Sequence, residues 1–144
     1  MKKKLSKKIN IETERLILKS VFELDAKDLQ KQANDKDVAE FFEAGFTFPY
    51  TLKQANKYVE DMKDSWNKSK EWIFAIYKRD SNDYIGNFGM KYDEQSNIIT
   101  NVGSWIGKKY RKNGYLSEVF KKMCDFCFNE LNARKIDAYC ISIN

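Results

Sequence analysis

At 144 residues the chain is long enough to bury one hydrophobic core and too short for two. Its formal net charge of +5 is matched by five lysines near the start, Lys2, Lys3, Lys4, Lys7 and Lys8, so the remainder is neutral overall. It contains no histidine, which excludes Ser/His and Cys/His catalytic pairs and most zinc sites.

Residues 1–8 read as a basic, disordered tail, and residues 9–144 as a single domain. The lysine run also fits an arm for nucleic acid or a membrane surface, but a neutral body argues against nucleic-acid binding. No apolar run reaches signal-peptide or membrane-span length, so no membrane association is expected and the expected location is the cytoplasm.

The aliphatic run around Leu16 to Leu18 predicts a first strand. Leu24, Leu29 and Ala33 then recur on one helical face. Thr51 followed by Gln54 is a capping-box pattern, and Ala55, Tyr58 or Val59, Met62 and Trp66 behind it predict a helix. The aromatic cluster before it, Phe41, Phe42, Phe46, Phe48 and Tyr50, reads first as core packing, with a substrate-lining role as the alternative. From Glu71 the period changes to that of strands. Runs at Trp72 to Lys78, Tyr84 to Tyr92 and Ile98 to Ile106, separated by turn-forming "RDSND" and "DEQSN", predict an antiparallel meander. Gly86, Gly89 and Gly103 within them suggest bulges or a close backbone approach.

A helix is predicted from Tyr115 to Leu131, with Leu116, Phe120, Met123, Cys127 and Leu131 as its stripe and Asn132 as a left-handed cap. Cys124 and Cys127, in "CDFC", sit in that helical pattern and read as buried free thiols rather than half of a metal site. "KIDAYCISI" predicts a last strand, with Cys140 in it. Strand, loop, helix and strand over residues 98–143 make a βαβ unit, whose strands are parallel.

The loop of that unit, "WIGKKYRKNGYLSE", has two readings: a charged surface turn, or a seat for an anion. A helix starting after Gly114 aims free backbone N–H groups and the positive end of its dipole at the loop, and Arg111 and Lys112 add charge. One such contact contributes about 0.3–2 kcal/mol, whereas micromolar binding needs about 8 kcal/mol. A phosphate-bearing ligand therefore also has to be held along its length, for example by main-chain hydrogen bonds from the preceding strand.

Taken in order, "TERLIL" (13–18), "DAKDL" (25–29), "FTFPYTLKQANKYV" (46–59), "YIGNFGM" (84–90), the stretch from Val102 to Leu131 and "RKIDAYCISIN" (134–144) resemble the landmarks of the GNAT acetyltransferase superfamily. The nearest branch is that of ribosomal-protein N-terminal and spermidine acetyltransferases. The resemblance implies an α+β fold with a mixed, mostly antiparallel sheet and helices on both faces. It implies acetyl-CoA as co-substrate, no metal, and direct attack of a primary amine, from a protein N-terminus or a small polyamine, on the thioester.

The family's acetyl-CoA loop is matched by Arg111, Gly114 and, at its small-residue position, the bulkier Leu116. By resemblance, the amides of Arg111, Lys112, Asn113, Gly114, Tyr115, Leu116 and Ser117 hold the pyrophosphate. Trp105 and Ile106 pair with the pantetheine arm, and Asn144 falls on the family's asparagine after the next strand. The family's glutamate base falls on Asn101. Tyr92, Ser104, Glu118, Asp137 and Tyr139 are replacements to consider, and none is assigned a catalytic role. Relatives continue past the Asn144 position with a helix and one or two strands, so the resemblance implies a C-terminally incomplete domain, whose edge strand a homodimer could cover. A non-catalytic acyl-CoA-binding or self-associating module is the alternative function.

Overall fold

A computed structural model describes residues 3–42 and 46–138. Among these, one sheet is built from β1 (Asn10–Glu12), β2 (Leu16–Ser20), β3 (Glu71–Lys78), β4 (Tyr84–Asp93), β5 (Ile98–Ile106) and β6 (Lys135–Ala138), in that spatial order. Neighbouring strands are antiparallel except β5 and β6, which are parallel and joined through a helix, as the βαβ reading requires. The helices are α1 (Ala26–Ala33), α2 (Leu52–Asn67) and α3 (Tyr115–Asn129).

Successive strand residues point to opposite faces, and two neighbours on β4 show how the faces divide. Phe88 meets Phe120 of α3, with ring centroids 5.6 Å apart. Asn87 lies opposite Trp105 of β5, and Trp105 meets Phe46 from the α1–α2 connection at 6.1 Å. Helices thus cover both faces of a mixed sheet, the α+β architecture expected. The core between them holds Trp72, Trp105, Phe74, Phe88, Leu16 and Leu18, all buried.

Local chemistry accounts for the element ends. Asp25 caps α1 through the Lys27 amide, and Thr51 and Gln54 cap α2 reciprocally. Asn82 and Asn97 adopt left-handed φ of 60° and 56° in the two turns of the meander, a conformation asparagine tolerates. α3 ends at Asn129 with Glu130 as its C-cap, two residues before the expected Leu131, and the expected cap Asn132, with φ 54°, sits beyond it in a turn where the Leu131 and Ala133 amides bond back to the Phe126 and Cys127 carbonyls.

The α3 stripe differs from expectation. Met123, Cys127 and Leu131 are buried, Leu116 and Phe120 are only half-buried, and Val119 takes the buried place one turn before Met123. Phe46 and Tyr50 pack in the core, whereas Phe48 is 47% exposed; the side chains of Phe41 and Phe42 lie outside the described residues. In the segment read as a tail, the Leu5 carbonyl accepts from the Trp66 indole at 3.1 Å and the Lys7 carbonyl accepts from the Ser20 hydroxyl at 2.5 Å.

Candidate functional site

The site begins where β5 loses its regularity. The β5–β6 pairing slips between Ile99 and Val102, and Asn101 in the slip has φ 51°. Among the described residues β6 reaches no further along β5 than Val102, opposite Ala138, so Gly103 to Ile106 face no described strand on that side. On the other side Gly86 of β4 makes a close approach: a Cβ there would sit 2.1 Å from the Trp105 carbonyl oxygen. Gly89 is similarly filled by the Ile73 side chain, while Gly103 has open space around it.

The chain leaves β5 through Gly107, whose amide donates to the Ile85 carbonyl at 2.7 Å, and makes one 3₁₀ turn at Lys108–Tyr110. Lys112 and Gly114 then take left-handed φ of 66° and 75°. Gly114 is the N-cap of α3 and supplies no capping side chain, unlike the residues that begin α1 and α2. Ile106 and the stretch from Tyr110 to Ser117 line a cleft of about 440 Å³ in front of this helix start. The free amides of the first turn and the dipole behind them make that cleft a place for an anion.

The loop is braced from two directions. Arg111 donates through Nε to the Ile106 carbonyl at 2.9 Å, and its other nitrogens reach Asp35 at 2.8 Å and Asp37 at 3.2 Å. Its charge is thus matched by two carboxylates on the segment after α1. The expectation that Arg111 adds charge to the loop is corrected by this geometry: its guanidinium ties the loop to the α1 side, and of the loop's exposed lysines Lys112 is the one that lines the cleft. From the other direction, Arg15 donates through Nε to Glu118 at 2.7 Å and through Nη1 to the Asn113 carbonyl at 2.9 Å. The Arg15 amide and the Thr13 hydroxyl also donate to Glu118. Partial burial alone would raise the Glu118 carboxyl, but the bonds from Thr13 and Arg15 outweigh it and hold the group below its ordinary value. Sequence reasoning missed this brace; its signal was the "TER" preceding β2 and the lone acid in the first turn of α3.

None of the described candidates for base work is free. Glu118 is committed to Arg15 and Thr13. The Ser104 hydroxyl donates to the Asn87 carbonyl at 2.8 Å, Tyr92 donates to Asn97, and Asp137 lies 3.3 Å from Lys135. Asn101 places an exposed carboxamide at the bulge. Tyr139, Cys140 and Asn144 lie outside the described residues. Cys127 is buried, its Sγ 3.5 Å from the Met90 sulfur, and burial, with Cys124 adding to it, pushes its thiol up to about 12. A thiol held protonated is a poor nucleophile, so Cys127 packs rather than reacts.

Residues 15–144 match the family described as Acetyltransferase (GNAT) domain. An uncharacterized N-acetyltransferase, p20 of Bacillus licheniformis, is 27% identical over 127 residues, which cover 88% of this chain and 70% of that protein. A Vibrio cholerae structure, provisionally assigned as a ribosomal-protein-serine acetyltransferase, superposes with a TM-score of 0.78 at 20% identity, covering 97% of this chain and 78% of that one. A ribosomal L7/L12 alpha-N-protein acetyltransferase solved with coenzyme A gives 0.68 at 13% identity, covering 82% and 67%.

Proposed function

The chain belongs to the GNAT acetyltransferase family, and on that premise we propose that it transfers the acetyl group of acetyl-CoA to the α-amine of a protein N-terminus, with a small polyamine as the competing acceptor. One observation carries the reading: the start of α3 has no side-chain cap and opens on a cleft of about 440 Å³ at the end of β5, where Gly103 to Ile106 face no described strand on the β6 side. Amides from Arg111 to Ser117 suit a pyrophosphate there. Gly103 to Ile106 offer the main-chain groups that a pantetheine arm needs, supplying the hydrogen bonds that the helix start alone cannot.

The choice of acceptor rests on proton chemistry. An α-amine with a pKa near 8 is about one-tenth neutral at pH 7, whereas an amine near 10.4 is less than about one-thousandth neutral. With Asn101 at the bulge and Glu118 bound to Arg15, an acceptor that needs little deprotonation fits this chain better. The names of the two similar structures, one acting on a ribosomal-protein serine and the other an alpha-N-protein acetyltransferase, support the same choice.

Calorimetric titration with acetyl-CoA tests the cleft, and free-thiol release with a panel of amines tests turnover. Binding with release on an N-terminal peptide is the expected result. No heat at high micromolar acetyl-CoA would sink the reading. Binding without release on any amine would favour the second reading, a non-catalytic acyl-CoA-binding module, which the carboxamide at Asn101 and the committed Glu118 support.

A further inference from the structure

Beneath the α1–α2 connection lie two buried hydrogen-bond donors that nothing in the described residues satisfies. The Trp105 indole nitrogen is one; Trp105 is fully buried. The Asn87 Nδ2 is the other; Asn87 is 2% exposed, and its Oδ1 accepts from the Tyr84 hydroxyl at 2.7 Å. The two residues are direct cross-strand partners on β4 and β5, so both side chains leave the same face at the same level. Tyr84 packs edge-on to Trp105 at 6.4 Å, and the Ser104 hydroxyl holds the Asn87 carbonyl. A buried donor without a partner costs about 1–3 kcal/mol, and native proteins keep few of them. Two at one cross-strand pair, beside a stretch of β5 that faces no described strand on its β6 side, are suited to an oxygen brought by a bound molecule. Trp72 also has an unsatisfied indole nitrogen, but its ring stacks on Tyr92 and no second donor accompanies it in a cross-strand pair.

The chemistry of the pair limits what it can hold. An indole N–H donates only, and so does a carboxamide nitrogen. An ammonium brings only further donors and would leave both unsatisfied; a carbonyl or hydroxyl oxygen can satisfy both. Resting on the acetyl-transfer reading above, we infer that Trp105 Nε1 and Asn87 Nδ2 together grip an oxygen of the acceptor, so that the site selects an amine carrying a nearby carbonyl, as in a peptide N-terminus, over a polyamine. Phe46 packs on Trp105 from the α1–α2 connection, with ring centroids 6.1 Å apart.

The test compares N87A and W105F with the wild type, using two acceptors: a serine-initiated tripeptide amide and spermidine. Wild type is expected to favour the tripeptide in kcat/KM. Each variant is expected to cut that preference about tenfold, with acetyl-CoA affinity measured in parallel as proof of a folded cleft. Tryptophan to phenylalanine keeps an aromatic ring against Phe46 and Tyr84, so it guards against a collapsed N87A. An unchanged preference in both variants overturns the inference, and so does a wild type that favours spermidine. A loss of acetyl-CoA affinity with the preference retained also overturns it, because the donors would then serve the pantetheine arm. Failure of the wild type to bind acetyl-CoA removes the proposed function itself, and this inference with it.

Discussion

Arg15 and Glu118 are 103 residues apart in the chain and meet with Nε and Oε1 at 2.7 Å, binding the entrance to β2 onto the first turn of α3. The same guanidinium reaches the Asn113 carbonyl and lies over the Tyr115 ring, 4.5 Å from its centroid. The start of α3, which has no cap of its own, is thus positioned by a distant segment. The E118A substitution is expected to weaken acetyl-CoA binding by roughly three- to tenfold while leaving helix content intact. Calorimetry alongside far-ultraviolet circular dichroism checks both.

The same brace sets an acid limit. Because the folded state holds the Glu118 carboxyl below its ordinary value of 4.5, the stabilisation is fully present above that value and fades as pH falls through the lower, folded one. The melting temperature of wild type is expected to exceed that of E118Q at neutral pH, with the gap narrowing below pH 4.5. A gap that stays constant into acid would contradict the assignment.

Arg111 sits in the loop, yet its guanidinium points at Asp35 and Asp37. If it served as a free cation, removing the carboxylate of Asp35 would release it toward the ligand and tighten acetyl-CoA binding. As a brace, it loses its anchor instead. D35N is therefore expected to weaken binding in the same direction as R111A, and R111K to fall between wild type and R111A because it keeps charge but cannot donate to the Ile106 carbonyl and to Asp35 and Asp37 at once. Dissociation constants for the three variants decide the sign.

Much of this organisation was legible in the residues themselves. The β-prone run from Ile98 to Ile106, set off by the turn-forming residues before it, gave β5 with both its ends, and Thr51 with Gln54 gave the start of α2, because strand preference and capping are local chemistry. The loop after β5 was readable as a charged turn or as an anion seat, and the helix start that both readings place behind Gly114 is where the fold has it. What could not be read was which partners its side chains choose. Arg111 finds Asp35 across 76 residues and Glu118 finds Arg15 across 103, and such pairings depend on the fold bringing the segments together. The donors on Asn87 and Trp105 were hidden for the same reason: nothing in "YIGNFGM" or "GSWIG" says that the two residues face each other.

The capping box of α2 offers a contrast in which stability and binding separate. Thr51 accepts from the Gln54 amide at 3.2 Å, and the Gln54 side chain accepts from the Thr51 amide at 2.9 Å, away from the cleft. T51A is expected to cost about 1 kcal/mol and to leave acetyl-CoA affinity within error of wild type. Denaturant titration and calorimetry on one preparation measure the two effects.

Two glycines of the site predict different failures, because they are glycine for different reasons. At Gly114 there is room for a methyl group, the nearest atom being Arg15 Nη2 at 3.6 Å from an added Cβ, but the backbone is left-handed at φ 75°. An alanine there pays about 1–2 kcal/mol in backbone strain; G114A is expected to melt a few degrees lower and to bind acetyl-CoA more weakly as α3 shifts its first amides. At Gly86 the obstacle is contact: a Cβ would stand 2.1 Å from the Trp105 carbonyl oxygen, and only separation of β4 from β5 relieves it. That separation breaks the hydrogen-bonded ladder beneath the cleft and pulls Trp105 away from Asn87. G86A is therefore expected to lose more stability than G114A. Melting curves of the two variants against wild type decide the order; a G86A protein as stable as wild type would mean that the two strands do not approach as closely as the Gly86 geometry requires.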